Sequence, residues 1–320
     1  MPRKKVIVAG SANMDMVMRV QRLPKPGETL MSDSFTTAHG GKGANQAVAA
    51  ARLGGQVSFI GAVGADAFGQ MQRDGLAREG IDLSRLKIDP DLPTGVAQIL
   101  IADTGDNMIV VAPSANHALL TEDIVAAHGL FQHSDVIITQ LEIPLATVES
   151  ALRMAREHQV FSILDTGGAA LDAPAALIAL ADMVSPNETE AEALTGIVVD
   201  SPEAARTAAA HLRDMGVEHV VMKLGARGCL YFGEEELYVP AFHVDALDAT
   251  AAGDAFTAAL GLAWNHMPVQ DALQFANAAG ALATMGVGAQ PSMPTLASVA
   301  RFMTDQGRHI ALSGLSEPCA

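Results

Sequence analysis

Short apolar runs alternate along this chain with longer segments of helical periodicity, and that alternation restricts the fold more than any other feature. Residues 6–9, 57–60, 136–139, 160–164, 183–184 and 217–223 read as buried strands. Helix-like segments lie between them at 44–53, 67–78, 145–158, 173–180, 188–194 and 203–215, and two more follow residue 254. Strand followed by helix, repeated, gives right-handed βαβ units and a parallel sheet covered on both faces. The predicted fold is a three-layer, Rossmann-like α/β architecture with a mostly parallel sheet.

Two stretches, 14–38 and 94–111, break the pattern and read as β only. In the first, Met14, Met16, Met18 and Val20 share one parity while Asp15 and Arg19 share the other, which gives one packing face and one wet face. Two β-only insertions predict a small second sheet over the ligand crevice: a lid, a dimerisation surface, or both. Residues 1–305 are expected to form one domain carrying these lid segments, with 306–320 as a C-terminal tail.

Apolar residues make up 49% of the 320, enough for a sizeable core. A formal net charge of −16 argues against a nucleic-acid partner, which needs clustered Lys and Arg. The basic Arg3-Lys4-Lys5 precedes an apolar run too brief for a signal peptide, and no run reaches the ~20 residues of a membrane span. Cys229 and Cys319 supply neither a disulfide framework nor metal-ligand spacing, and Cys229 reads as a small buried hydrophobe. The expectation is a cytoplasmic protein with no membrane partner.

In open α/β sheets, ligands bind beyond the carboxyl ends of the strands. Polar clusters fall at those ends: Asn13 and Asp15, then Gln140-Leu141-Glu142, Asn187-Glu188-Thr189-Glu190 and Leu224-Gly225-Ala226-Arg227-Gly228. His39-Gly40-Gly41-Lys42-Gly43-Ala44-Asn45 is a glycine-rich loop feeding a helix. Its spacing is not that of a Walker A loop, and no G-x-G-x-x-G follows the first strand, which weighs against a nicotinamide-dependent oxidoreductase. Such glycines let backbone approach a polyhydroxylated ligand, with Lys42 and Asn45 as donors and Glu142 as an acceptor. Asn187 and Glu190 suit both a capping box and a pair of ligands on one helix face.

Asp248-Ala249-Thr250-Ala251-Ala252-Gly253-Asp254 precedes an apolar helix-like run. Small residues at a helix start leave its orphan N–H groups open to an anion, and Asp254 sets a carboxylate beside them. A base next to an anion cradle is what phosphoryl transfer to a hydroxyl requires. An ordinary Ala/Gly-rich helix start has the same residues, and the heptapeptide alone does not separate the two readings.

In this order the motifs resemble the ribokinase-like family of carbohydrate and nucleoside kinases, over about residues 5 to 304. The signatures are Gly40-Gly41-Lys42-Gly43-Ala44-Asn45-Gln46-Ala47 and the heptapeptide 248–254. Gly10-Ser11-Ala12-Asn13-Met14-Asp15, Gln140-Leu141-Glu142 and Gly288-Ala289-Gln290-Pro291-Ser292 are most similar to the members that phosphorylate D-ribose. The resemblance implies an ATP-dependent sugar kinase with a β lid shared across a homodimer. It implies that Asp254 is the base for the sugar 5-hydroxyl and that Ala251, Ala252 and Gly253 form the anion hole. Asn13, Asp15, Gly41, Lys42, Asn45 and Glu142 would hold the sugar; Asn187, Lys223, Gly225, Gly228, Gly253 and Asn277 would line the nucleotide site. Glu190 would help place Mg²⁺ through water, and oxygens of Asp248, Thr250, Ala283, Gly286, Gly288 and Ser292 would hold K⁺.

There are three departures from that pattern. Ala249 stands where relatives carry a hydroxyl or β-branched residue, Lys223 where the ribose kinases carry Thr, and Asp165-Thr166-Gly167-Gly168 where they carry Asn-Pro-Ala-Pro. The alternatives are a related kinase for 2-deoxyribose, fructose or a nucleoside, and a non-catalytic sugar-binding regulator on the same fold. An aromatic content of 4% argues against a nucleoside, whose base needs a clamp.

Overall fold

The computed structural model describes residues 3–168, 173–308 and 310. In chain order its strands are β1 (Lys5–Ala9), β2 (Asn13–Val20), β3 (Ser34–Gly40), β4 (Gln56–Gly64), β5 (Asp82–Asp89), β6 (Gly95–Ala102) and β7 (Asn107–Ala112). There follow β8 (Val136–Leu141), β9 (Phe161–Gly168), β10 (Met183–Val184), β11 (His219–Lys223), β12 (Cys229–Phe232) and β13 (Glu236–Val239). Nine of them form the main sheet in the order β13-β12-β11-β10-β9-β8-β1-β4-β5. Every pair from β11 to β5 is parallel, and only the β11–β12–β13 edge is antiparallel.

Strand parity explains why helices cover both faces. Val6 and Val8 pack into one apolar cluster while Ile7 and Ala9 pack into the other, and Ile138/Ile137, Ile163/Leu164 and Val221/Val220 divide in the same way. With no wet face, the central strands are continuous apolar runs, as parallel sheets require. The first layer is built around the helices Lys42–Arg52 and Ala252–Ala263. Their many alanines let backbones pack closely, and ten consecutive residues of the second helix, Asp254 to Ala263, are buried. Cys229 is buried in β12, where burial pushes its thiol up to about 12, so it acts as a packing residue.

The two β-only stretches do pair, as a separate four-stranded sheet in the order β3-β2-β6-β7. It is mixed: β2 runs antiparallel to β3 but parallel to β6.

Several boundaries differ from the sequence reading. The first helix begins at Lys42 rather than residue 44, with Gly41 at φ 88° turning the chain into it. Segment 173–180 contains only the short helix Ala175–Ile178, and residues 29–33 form no strand. The edge strands β5 and β13 lack the apolar signature, because Asp82, Ser84, Arg85, Lys87 and Glu236 put charge and polarity where a central strand has Val or Ile. Polar edges also resist pairing with other chains. The last helix is Leu296–Asp305, and of the expected tail residues 309 and 311–320 lie outside the described residues.

Candidate active site

Asp254 lies in the first turn of the helix Ala252–Ala263, which begins beyond the carboxyl ends of the parallel strands. The residue before that helix, Ala251, has φ 59° and ψ 12°, a left-handed conformation costing a non-glycine residue about 1 kcal/mol. Such backbone strain clusters at functional sites. The Ala252 N–H turns back to the Ala249 carbonyl at 3.3 Å. The outward donors of this terminus are therefore the N–H groups of Gly253 and Asp254, which precede the first intrahelical bonds.

The Asp254 carboxylate is held on both oxygens by the helix Lys42–Arg52. Asn45 Nδ2 donates to Oδ2 and Gln46 Nε2 to Oδ1, each at 3.0 Å. Burial raises the Asp254 pKa to about 6; Lys42 and the Asn45 and Gln46 bonds pull it down, and Asp165 pushes it up. A base of that strength is ionised at neutral pH and still takes a proton well. Asn45 is only 6% exposed, and its Oδ1 is buried with no hydrogen-bond partner. An unpaired buried acceptor costs about 1–3 kcal/mol, so the site has a place for a ligand hydroxyl beside the base.

Glu142 follows β8 and accepts from Ser11 Oγ at 2.5 Å and from the Lys42 N–H at 3.3 Å. It lines a cavity of about 640 Å³ together with Lys42, Leu141, Ile143, Gly168 and the β7 residue Val111. Burial lowers the affinity of the Lys42 ammonium for its proton, but Asp254, Asp165, Glu190 and Glu142 outweigh it and hold the pKa above its ordinary value. Asp15 is pushed up to about 7 by burial, then by Glu142 and Asp254.

Asn13 sits where β2 meets both β3 and β6, opposite Gly40 and Gly95. Both glycines are needed there. A Cβ on Gly40 would lie 2.2 Å from Asp15 Oδ1, and one on Gly95 would lie 2.3 Å from Asn13 Oδ1. Asn116 Nδ2 donates to Asn13 Oδ1 at 2.7 Å, so Asn13 has its own amide N–H groups left for a ligand.

A second cavity, about 490 Å³, is bordered by Gly253. Lys223, Gly225, Gly228, Gly253 and Asn277, five of the six residues expected at a nucleotide site, line it with Ala252, and Phe242, Val244 and Phe256 add an apolar wall. Asn277 Nδ2 is bonded to the Val239 carbonyl at 3.2 Å, so it supports that wall. Asn187 does not line the cavity. It forms a capping box: its Oδ1 accepts from the Glu190 N–H at 2.8 Å, and Glu190 accepts from the Asn187 N–H and Nδ2, each at 2.9 Å.

Contacts connect the residues assigned to a monovalent cation in two groups, Asp248 with Thr250 and Gly288, and Gly286 with Ala283 and Ser292. Asp248 Oδ2 accepts from the Gly288 N–H and Oδ1 from the Thr250 N–H, both at 2.9 Å. Gly286 is so close to Ser292 that a Cβ would sit 2.8 Å from the serine Cβ, and Gly286 N–H donates to the Ala283 carbonyl at 3.3 Å. These hydrogen bonds hold the Asp248 pKa below its ordinary value although burial opposes them.

The sequence reading did not assign roles to Gln46, Gln140, Asp165 and Thr257, which join the site by hydrogen bonds. Gln140 Nε2 donates to Gln46 Oε1 at 2.6 Å, while Gln46 Nε2 and Thr257 Oγ1 donate to Asp165 Oδ2 at 3.0 and 2.9 Å. Gln46 carried a signal: it lies one turn after Lys42, on the same helix face.

The sequence profile of the pfkB family carbohydrate kinases matches residues 3–296. The ribokinase of Haemophilus influenzae is 38% identical over 303 residues, spanning 94% of this chain and 99% of that protein. The deoxyribokinase of Salmonella typhi is 33% identical over 301 residues, spanning 93% and 98%. The solved structure of Arabidopsis thaliana ribokinase complexed with ribose and ATP matches with a TM-score of 0.86 at 32% identity, over 94% of this chain and 99% of that one.

Proposed function

We propose that this chain, which belongs to the pfkB family of carbohydrate kinases, transfers the γ-phosphoryl group of ATP to the 5-hydroxyl of D-ribose. The observation that carries this reading is the position of Asp254. It is a buried carboxylate near pKa 6, flanked by an unpaired amide oxygen on one side and by free helix-terminal N–H groups on the other. Asp254 takes the hydroxyl proton as the sugar O5 bonds to phosphorus and the bond from phosphorus to the ADP oxygen breaks. Charge on the moving phosphoryl group meets the Gly253 and Asp254 N–H groups and the Lys223 ammonium. Positioning and charge stabilisation of this kind are the main source of rate in phosphoryl transfer.

Asn13, Asp15, Gly41, Lys42, Asn45 and Glu142 bind the sugar hydroxyls. Mg²⁺, when bound with the nucleotide, would neutralise phosphate charge. Three donors already occupy Glu190 (Thr166 Oγ1 and two on Asn187), which fits an outer position reached through water. Oxygens of Asp248, Thr250, Ala283, Gly286, Gly288 and Ser292 would hold K⁺, a donor set suited to a hard monovalent cation. The exposed apolar residues Ile109 and Val110 of β7 support a homodimer through the small sheet. Its use of ATP supports a cytoplasmic location.

A panel of pentoses and hexoses, assayed for ADP release in K⁺ and in Na⁺, tests substrate and cation together. D-ribose should give the highest kcat/KM, with activity higher in K⁺. Turnover of 2-deoxyribose or another sugar without turnover of ribose would replace the proposed substrate.

A further inference from the structure

Lys223 and Asp165 form the most buried ion pair among the described residues, at 3.1 Å with side chains 11% and 1% exposed. Asp165 is in β9 and Lys223 closes β11, so the pair spans β10 at the carboxyl edge of the sheet. Each partner also faces one half of the reaction. The Asp165 oxygen that meets Lys223 accepts from Gln46 Nε2, and that same nitrogen donates to Asp254. Lys223 lines the nucleotide cavity, with Nζ 3.7 Å from where a Cβ on Gly253 would stand. One ammonium therefore borders both the helix terminus that receives the phosphoryl group and a carboxylate sharing a donor with the base.

Building on the reading of Asp254 as the base, we propose that Asp165 and Lys223 are a nucleotide-responsive ion pair that links occupancy of the phosphate site to the base through Gln46. A triphosphate offers Lys223 more negative charge than a single carboxylate does, and Gly253 has no side chain to keep them apart. As Lys223 turns to the γ-phosphoryl group, Asp165 loses most of its compensation. In a buried site an uncompensated charge interacts strongly with its neighbours. Asp165 then holds the Gln46 amide more tightly and raises the proton affinity of Asp254, so the base strengthens when its co-substrate is in place. Lys42 also faces Asp165 and keeps the site from carrying a bare carboxylate. Asp165 acts through Gln46 and is a positioning residue; Lys223 touches the nucleotide.

The pairing predicts a reversal of sign in a double-mutant cycle of the full chain. Lys223→Thr alone leaves Asp165 unpaired and should lower kcat/KM for ATP by tenfold or more. Asp165→Asn alone should also lower kcat; added to Lys223→Thr it should recover kcat/KM for ATP, because no bare carboxylate then opposes the phosphates, while kcat stays low for want of the Asp165 charge behind the base, giving a coupling of about tenfold in kcat/KM. The KM for sugar should stay within about twofold throughout. Calorimetry on the same four proteins should find coupling for a non-hydrolysable ATP analogue and none for ADP, which lacks the γ-phosphoryl group. Independent, multiplying effects on kcat/KM and on analogue binding would overturn the proposal. So would coupling confined to melting temperature, which would make the pair merely structural. If the wild-type chain phosphorylates no sugar, the base reading fails, and the analogue-against-ADP comparison still decides whether the pair responds to nucleotide.

Discussion

On the proposed acceptor side of the cleft, Asn13, Asn45 and Asp254 are buried, and each is fixed by another side chain: Asn116, Asp254, and Asn45 with Gln46. On the nucleotide side, residues 241–250 have no strand or helix and are half-buried or exposed throughout. Phe242, Val244 and Phe256 make an apolar wall in the cavity they border, which the fixed Lys223 and Asn277 also line. The contrast follows from what each side must distinguish. Sugars differ by single hydroxyls, and a site rejects the wrong one only if polar groups are left unpaired in its presence. A purine ring needs apolar contact, which an adaptable wall supplies. Selectivity should therefore be concentrated on the acceptor side, and loss of function there should be steeper.

The largest effect is expected at the junction of the two sides. Asp254→Asn keeps size and shape but cannot take a proton, and should lower kcat by about 10²–10⁴ with sugar affinity nearly unchanged by calorimetry. Wild-type kcat/KM for sugar should show the same group. Burial raises the folded pKa to about 6, so the active carboxylate form dominates above that pH and is lost as pH falls through it. Asp15, raised to about 7, extends the acid limb upward. A variant with most of its activity, or a profile flat down to pH 5, removes Asp254 from the role of base.

The acceptor side was also the more legible in the sequence. Its residues fall in short motifs after apolar runs, so Asn13, Asp15, Lys42, Asn45 and Glu142 can be placed from strand ends and a glycine loop alone. The nucleotide wall was not legible, because Phe242 and Val244 lie in a segment with no periodicity. Asp165 and Lys223 were visible only as separate oddities, since nothing local says that strands 58 residues apart place them at 3.1 Å. Ala251 shows the same limit: its left-handed backbone is imposed by the turn around it and not by its own preference.

Gly95→Ala probes the acceptor side without touching a reacting group. A Cβ there would stand 2.3 Å from Asn13 Oδ1 and 2.4 Å from Asn116 Nδ2, breaking the bond that orients the Asn13 amide. Gly95 does not have a positive φ, so the change acts through that contact and not through backbone strain. With one oriented hydrogen bond lost, the KM for sugar should rise about tenfold, while KM for ATP at saturating sugar stays constant. Equal rises in both constants would mean that the two sides are not separately built.

The nucleotide side is tested by Phe242→Ala, where the smallest effect is expected. Phe242 packs edge-on against Phe302, with ring centroids 5.2 Å apart at 69°, so part of its surface supports the fold and only the rest faces the cavity. Removing that remainder forfeits roughly 1 kcal/mol of apolar contact, a factor of about five in KM for ATP. The neighbouring chain is irregular and exposed, so it can close over part of the gap, which a fixed polar site cannot do. The KM for sugar and the ranking of sugars should not change. If Phe242→Ala altered sugar ranking as much as Gly95→Ala does, selectivity would be spread over the whole cleft, and the division between a preset acceptor side and an adaptable nucleotide side would fail.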